Sequence, residues 1–516
     1  MSRRRLTWVL ATALMLSACA SARPGRFKDQ PIVWRVDDER EIAQPGKRIF
    51  DRFSYFANGF ALKRIRNAID PPRSGPARDT NALDEVPDSS WFINRTLTPA
   101  QVAKGPDGNG PPQPPLTVTS AKTLGDSPGA FVKDSRGRRY LIKFDTLENP
   151  EQQTGTDAIV NRIFWALGYF APLDSVFFMR RTDLHIAAKL KGTLTQRDLD
   201  VMLRSATRRR DGAIRALASE FVPGKPLGGW ATTGRGKQDP NDRIAHEHRR
   251  VLRGLRVLSA WLGHTDVKPD NTMDVFIGKN GRGFLRHYLI DFGEAFGGHQ
   301  SGKGQLEVGW EYGWDWLNQG KALVSFGLWT RKWERQRMTP YKSVGYFSAA
   351  QFDPLTWRER YPYEPFFYAD RNDNYWAAKL VMRFNRALLA AAVATGKLSE
   401  PGAARYLVDT LLARREKIGR AYFGKVTPFD RLRINNRQLC GTDLARFYGL
   451  QTTGVIEIVS GGPAQVYTTS PKGEGCVPLV SDGNYRIIRL RIRRGKRATP
   501  VMQVHYKGSR LLGVVR

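Results

Sequence analysis

Two acid-bearing stretches constrain what this chain can fold into. The first is "HTDVKPDN", residues 264–271, and the second is "LIDFGEA", residues 289–295. The first follows directly on "NDRIAHEHRRVLRGLRVLSAWLGH". There Leu252, Leu255, Leu258 and Leu262 recur at helical spacing, with Asn241 as a candidate N-cap. A long helix therefore ends on a loop carrying Asp266, Lys268 and Asn271, and an apolar run then ends on a second acid, Asp291.

Upstream, the chain alternates strand and helix signals. "AFVKD", a turn at "SRGR" and "YLIKF" read as a β-hairpin. "TDAIVNRIFWALGYFAP" places Ile159, Ile163, Ala166 and Leu167 at helical spacing, and Gly168 ends the run. "ALASEFVPGKPLGGW" reads as a strand entering a turn. Two further helical runs, "DRNDNYWAAKLVMRFNRALLAAAVATGKL" and "EPGAARYLVDTLLARREKIGRAYF", come later. There is no internal repeat.

A hairpin, a helix, a long helix, an acid-rich loop and then D-F-G resemble the protein-kinase fold in the order of its parts. His264, Asp266, Lys268 and Asn271 match the family's catalytic loop, and Asp291-Phe292-Gly293 matches its metal-binding motif. The resemblance spans residues 120–425 and is specific only around these two motifs. It implies an α+β, two-lobed kinase-like domain, with residues 119–225 as N-lobe and 226–435 as C-lobe. It implies ATP, or another nucleotide, with Mg2+. Asp266 would orient the attacking hydroxyl and take its proton. Lys268 would neutralise the transferring phosphoryl, and Asn271 and Asp291 would hold the metal. Lys143 in "YLIKFD" is the candidate for the phosphate-pairing strand lysine, and a snorkelling strand residue is the plainer reading. Its acidic partner would be Asp157, where the family has Glu, with Glu151 as runner-up.

Some features depart from the family. Thr265 stands where kinases usually carry Arg, so control through that Arg is not expected. The G-x-G-x-x-G loop is missing, and "LGDSPGAF", with Gly125 and Gly129, is its only nearby stand-in. The span from Asn271 to Asp291 is long and contains "GKNGRG", and no A-P-E is present. These features are closer to the atypical branch, such as the HipA-type and spore-coat-type kinases.

The chain begins "MSRRRLTWVLATALMLSACASA". Arg3, Arg4 and Arg5 precede an apolar run, Leu6 to Leu16, too short to span a bilayer. Leu16-Ser17-Ala18-Cys19 resembles the bacterial lipobox. That implies residues 1–18 are a lipoprotein signal peptide and the mature chain is held on a membrane by lipidated Cys19. Ala20 and Ser21 follow, and the absence of Asp there leans towards the outer membrane of the cell envelope, facing the periplasm. An ordinary secretory signal with an incidental Cys stays open. Residues 19–45 read as a tether, and 46–118 as an irregular extension ending in the Pro/Gly-rich "KGPDGNGPPQPPL". Within it, "GKRIFDRFSYFANGFALKRIRN" alternates aromatic and basic residues and has room for a helix.

From about residue 436 the texture changes to short alternating strands, predicting a small β-sandwich-like domain over 436–516. Cys440 and Cys476 both lie there, and an exported compartment permits them to pair. Two separate thiols are the alternative. Lys plus Arg number 82 against 49 Asp plus Glu, a net charge of +33. An anionic envelope polymer is one partner this suits, as is a solvated basic surface with no partner. No RNA-binding or zinc-finger signature is present, which argues against nucleic acid. His246 and His248 are two apart and make poor joint metal ligands. "GWEYGWDWLNQGKALVSFGLWTRKW", residues 309–333, has three open readings: a lipid interface, a substrate-binding segment, or aromatic packing under a loop.

Two functions remain in view. One is a lipid-anchored atypical kinase moving a phosphoryl, or a nucleotidyl, group to a hydroxyl acceptor such as a protein. The other is a pseudokinase-type envelope scaffold that binds a partner without catalysis, which suits a compartment poor in nucleotide.

Overall fold

Short apolar runs become strands wherever turn residues bracket them. In a computed structural model that describes residues 25–516 except 73, 123–127, 191–193, 205, 299–305, 338 and 460–464, the first are β1 (Ile42–Ala43), β2 (Leu116–Ala121), β3 (Gly129–Lys133) and β4 (Arg139–Lys143). Then come β5 (Asp174–Met179), β6 (Leu184–Ile186), β7 (Ile214–Glu220), β8 (Lys225–Gly228), β9 (Thr272–Lys279) and β10 (Arg282–Leu289). The chain is α+β and divides into two compact units. Of the described residues, the larger holds Trp34–Thr80 with Val86–Lys425, and the smaller holds residues 25–33, Asn81–Glu85 and Val426–Arg516.

In the larger unit one sheet has the order β5-β7-β4-β3-β2-β6. The β3–β4 hairpin turns where Gly137 takes a positive φ of 81°, and Gly129 pairs with Lys143. Strand β7 is covered on both faces. Ile214, Ala216 and Ala218 join the cluster that includes Leu199 and Leu203 of the helix Gln196–Arg204. Leu217, alternating with them, packs with Val176 and with Ala158 of the helix Gln152–Leu167. That helix is therefore fixed against the sheet that carries Lys143.

A second sheet, β1-β10-β9-β8, is built on a long hairpin whose turn is Asn280-Gly281, both at positive φ. This hairpin is what "GKNGRG" forms. Strand β1 pairs with β10 and lies inside the span read as a tether. Asp38, also in that span, accepts hydrogen bonds from Ser90. Residues from Trp34 onward therefore belong to the larger unit and are not a tether.

The helical part comprises Arg250–Leu262, Arg371–Met382, Arg386–Ala394 and Ala403–Phe423. Gly254 lets the first of these approach Trp376 of the second; a Cβ there would lie 2.8 Å from the indole. Asn241 does not cap the long helix, which starts at Arg250. Its amide nitrogen donates to the Arg40 carbonyl, and the helix N-terminus is capped by Asp79, which accepts from the Arg250 and Val251 amides.

The smaller unit holds β11 (Phe429–Asn435), β12 (Gln438–Asp443), β13 (Val455–Ile458), β14 (Gln465–Thr468), β15 (Glu474–Pro478), β16 (Tyr485–Arg494), β17 (Arg497–Ala498), β18 (Met502–Lys507) and β19 (Arg510–Val515). They form two sheets, β11-β12-β15 and β14-β13-β16-β18-β19, with β17 on β16. Phe429, Leu439 and Val477 of one sheet share a core with Ile456, Leu490 and Val504 of the other, a sandwich arrangement. Cys440 and Cys476 stand opposite each other on β12 and β15 and are joined by a disulfide. The unit also recruits residues from far upstream: the Val514 amide donates to the Ala82 carbonyl.

Candidate active site

The β9–β10 hairpin brings the two acid-bearing stretches together. Asn271 immediately precedes β9 and Ile290 immediately follows β10, and the Ile290 amide donates to the Asn271 carbonyl at 3.0 Å. Asp291 is thus the next residue along from Asn271's partner. It has φ +59°, a left-handed conformation that Asp tolerates better than most residues and that costs about 1 kcal/mol.

Lys143 reaches the same place from β4. Its Nζ lies 2.8 Å from Asp291 Oδ1 and 3.2 Å from Asp157 Oδ2. Burial works against the ammonium, but Asp291 and Asp157 more than offset it and its pKa rises. Burial likewise pushes the Asp291 carboxyl up, and Lys143 overrides that, so it is held below the usual carboxylate range. The Asp291 side chain remains 35 % exposed. Asp157 Oδ1 also accepts from the Phe292 amide at 3.1 Å, so one oxygen ties the helix Gln152–Leu167 to the D-F-G turn while the other holds Lys143. Glu151 does not compete for Lys143. It sits at the start of that helix, where it faces Arg215 and accepts from the Ser399 amide.

The residues of the loop 264–271 form their own network. Lys268 Nζ donates to Asp266 Oδ1 at 2.6 Å. Asn271 Nδ2 donates to Asp266 Oδ2 and to the Asp266 carbonyl, both at 2.8 Å. With its amide nitrogen so committed, Asn271 keeps its side-chain oxygen for other partners. The side chain of buried His264 supports the loop, its Nδ1 3.4 Å from the Glu294 carbonyl and its ring 6.0 Å from both Phe164 and Phe292. Phe292 in turn stacks on Phe164 of the helix at 5.2 Å.

Gly129 lies in β3, not in the loop before it. A Cβ there would fall 2.4 Å from the Ile142 carbonyl oxygen, so the glycine sets how closely β4, and with it Lys143, can approach. Gly125 and Cys19 lie outside the described residues.

A cavity of about 310 Å3 opens beside Lys143 and Asp291, between β3, β4 and the segment 220–226 on one side and Met273 and Ile290 on the other. Phe131, Leu141, Pro172 and Val222 make its walls largely apolar, and Lys143, Asp174, Glu220 and Asp291 bring charge to them. That combination suits a flat ring with a charged tail. Among the described residues no three His, Cys, Asp or Glu side chains cluster as a metal cage. Asp291 and the Asn271 oxygen instead fit Mg2+, which takes one or two protein oxygens and completes its shell with phosphate and water.

Two residues escaped the sequence reading. Asp174 lines the cavity at 2 % exposure, and burial, then Asp157, push its carboxyl well up. Nothing in "PLDSV" signals this. Glu294 follows the D-F-G motif, with its carboxylate 3.7 Å from Arg360; burial, then the charge of Asp266, raise its pKa to about 8. Its place in "LIDFGEA" was the only available signal.

No family model matches the chain, and no curated protein matches it. Among solved structures, it is similar to a Golgi casein kinase with Mn and ADP bound. The match has 9 % identity and a TM-score of 0.30, over 60 % of this chain and 73 % of that one.

Proposed function

We propose that the chain is an atypical kinase-like phosphotransferase, moving a phosphoryl group from a Mg-nucleotide to a hydroxyl acceptor. The observation that carries this reading is the meeting of Lys143, Asp157 and Asp291 beside a largely apolar cavity, with Asp266 and Asn271 hydrogen-bonded to each other. The apolar part suits the base and Lys143 the phosphates. Bound Mg2+ would supply neutralisation of phosphate charge, held by Asp291 and Asn271. The acceptor oxygen attacks the terminal phosphorus and loses its proton to Asp266. The bond to the bridging oxygen breaks, and that oxygen leaves with the electron pair as part of the nucleoside diphosphate. Lys268 holds Asp266 in place and offsets charge on the transferring group.

Anchoring of the chain at lipidated Cys19, on the periplasmic side of the cell envelope, belongs to the same proposal and rests on sequence alone. So does an acceptor there, a protein or an anionic polymer.

The test uses residues 25–516, which hold both compact units. ATP with Mg2+ should raise the melting temperature, and Asp291→Ala should abolish that rise, while loss of the ion pair to Lys143 lowers the melting temperature of the free chain. Asp266→Asn should keep the rise and reduce transfer by a factor of about 10²–10⁴. The mass added to an acceptor separates phosphoryl from nucleotidyl transfer. An unchanged rise in Asp291→Ala would sink the site assignment. No rise with any nucleotide would leave the scaffold reading in its place.

A further inference from the structure

The larger unit carries an apolar surface that its own core does not use. The helix Trp316–Val324 has no buried residue, and neither does the helix Arg52–Ala57. Short helices gain most of their stability from packing an apolar face, so two such faces left open call for a covering medium. Between them runs a groove of about 540 Å3 lined by Phe53, Phe56, Phe60, Ile65, Trp314 and Trp316 among other apolar residues. Beyond it the chain projects a tip: Leu323 is 78 % exposed, Val324 80 %, Phe326 94 % and Leu328 87 %.

The two halves of this surface are tied together. Arg64 pairs with Asp315 at 3.2 Å, donates to the Trp314 carbonyl, and lies over the rings of Tyr312 and Trp316. Lys63 pairs with Glu364 at 2.9 Å, which fixes the helix Lys63–Ile69 to the body. The apolar face is a built feature, held by ion pairs at its back.

Basic side chains accompany it. Arg52 and Arg66 are next in sequence to the groove residues Phe53 and Ile65, Lys321 lies over Trp329, and Lys332, Arg335 and Arg337 follow the tip in sequence and are exposed. Trp and Phe ringed by Lys and Arg is the composition that sits at the headgroup level of a bilayer, and a chain of net charge +33 is drawn to anionic lipid. No helix of the described residues is long and apolar enough to cross a membrane, so such a surface would lie on the bilayer.

We infer that this surface docks the larger unit on an anionic phospholipid bilayer, through the groove and the tip Leu323–Leu328. This contact is additional to any lipid on Cys19 and does not depend on phosphoryl transfer. It has a geometric consequence for the candidate site. Phe56 and Phe60 contact Tyr361, whose ring lies 4.8 Å from Lys268 Nζ, and Arg52 pairs with Asp270 of the catalytic loop. The Asp266 side of the cleft would therefore face the headgroup layer.

The experiment is co-sedimentation of residues 25–516, without nucleotide, with vesicles of phosphatidylcholine alone or mixed with phosphatidylglycerol. Binding is expected to the mixed vesicles only. Phe53→Ser, Phe326→Ser and Leu328→Ser combined should weaken it by about tenfold or more, since each removes a large apolar side chain from the contact. All three side chains are exposed, so the melting temperature should hold. Lys321→Glu with Lys332→Glu should weaken binding as well. Failure to bind mixed vesicles overturns the inference. So does binding that the triple apolar variant leaves intact, which would reduce the effect to diffuse charge. A wild-type dimer that the triple variant converts to monomer, with no vesicle binding, would assign the surface to a second copy instead.

Discussion

Lys143 and Asp291, 148 positions apart in sequence, meet with Nζ 2.8 Å from Oδ1. The strand and the hairpin end that carry them belong to different sheets, so this pair links the two across the cavity.

Lys143→Met removes the link. The rise in melting temperature with ATP and Mg2+ is expected to disappear, and transfer to fall by about 10²–10³. The pH dependence follows from Asp291. Burial raises its carboxyl pKa and Lys143 lowers it further than that, so the net shift is down from the model-compound value of 3.8. A depressed carboxylate contributes stability above its unfolded pKa and loses it as pH falls through its folded pKa. The melting-temperature gap between wild type and Lys143→Met should therefore be wider at about pH 6 than at about pH 3. A gap independent of pH would mean that the ion pair does not contribute to stability.

Glu294→Gln isolates the opposite sign. Burial and the neighbouring Asp266 charge raise the Glu294 pKa from 4.5 to about 8. A raised carboxyl pKa means the folded chain holds a proton that the unfolded chain has released. Its contribution is complete below about pH 4.5 and is lost as pH rises to about 8. The amide cannot titrate, so the variant should gain on wild type across that window, on the order of 4–5 kcal/mol in total. Urea titrations at three pH values measure it. Parallel curves would place the proton elsewhere.

The motifs were legible because their chemistry demands particular polar residues at fixed local spacing. Asp266, Lys268, Asn271 and Asp291 could be singled out one by one, and so could the hairpin that carries Lys143. What stayed hidden depends on long-range contacts. The cap of the helix Arg250–Leu262 comes from Asp79, 171 positions upstream, while the plausible local cap Asn241 is used on Arg40. The edge strand β1 is two residues long and has no periodicity to read. Gly129 looked like a loop glycine, and only the 2.4 Å approach of the Ile142 carbonyl shows why a side chain is excluded. The same limit applies to Asp174, whose shifted pKa comes from burial beside Asp157.

The disulfide allows the smaller unit to be probed alone. Cys440 and Cys476 close a loop over a separation of 36 residues, for which the loss of unfolded-state entropy amounts to roughly 4 kcal/mol. No tryptophan occurs in residues 426–516. Reduction should speed amide exchange across β11–β19 while unfolding followed by Trp fluorescence, which reports the larger unit, stays unchanged. A shift in the Trp-detected transition would show that the two units unfold together.

The helical part rests on a buried charge cluster. Asp373 is 0 % exposed and accepts from Arg250 Nε at 3.0 Å and Arg253 Nη1 at 3.1 Å, both on the helix that leads into the loop 264–271. It also accepts from the Asp370 amide, closing the capping box of its own helix. Replacing the whole cluster with apolar residues need not destabilise the fold, because desolvation offsets most of the attraction. Removing only the carboxylate is different, since two buried guanidinium groups each lose a hydrogen-bonded charge partner. Asp373→Ala is expected to cost about 3–5 kcal/mol in urea denaturation. Asp373→Asn keeps an oxygen for one arginine and for the Asp370 amide, and should cost distinctly less. Because the cluster lies beneath the helix and not in the cavity, Asp373→Asn should retain the full nucleotide-dependent rise in melting temperature. Loss of that rise in a well-folded Asp373→Asn chain would show that the cluster sets the position of the loop 264–271 as well as holding the helices together.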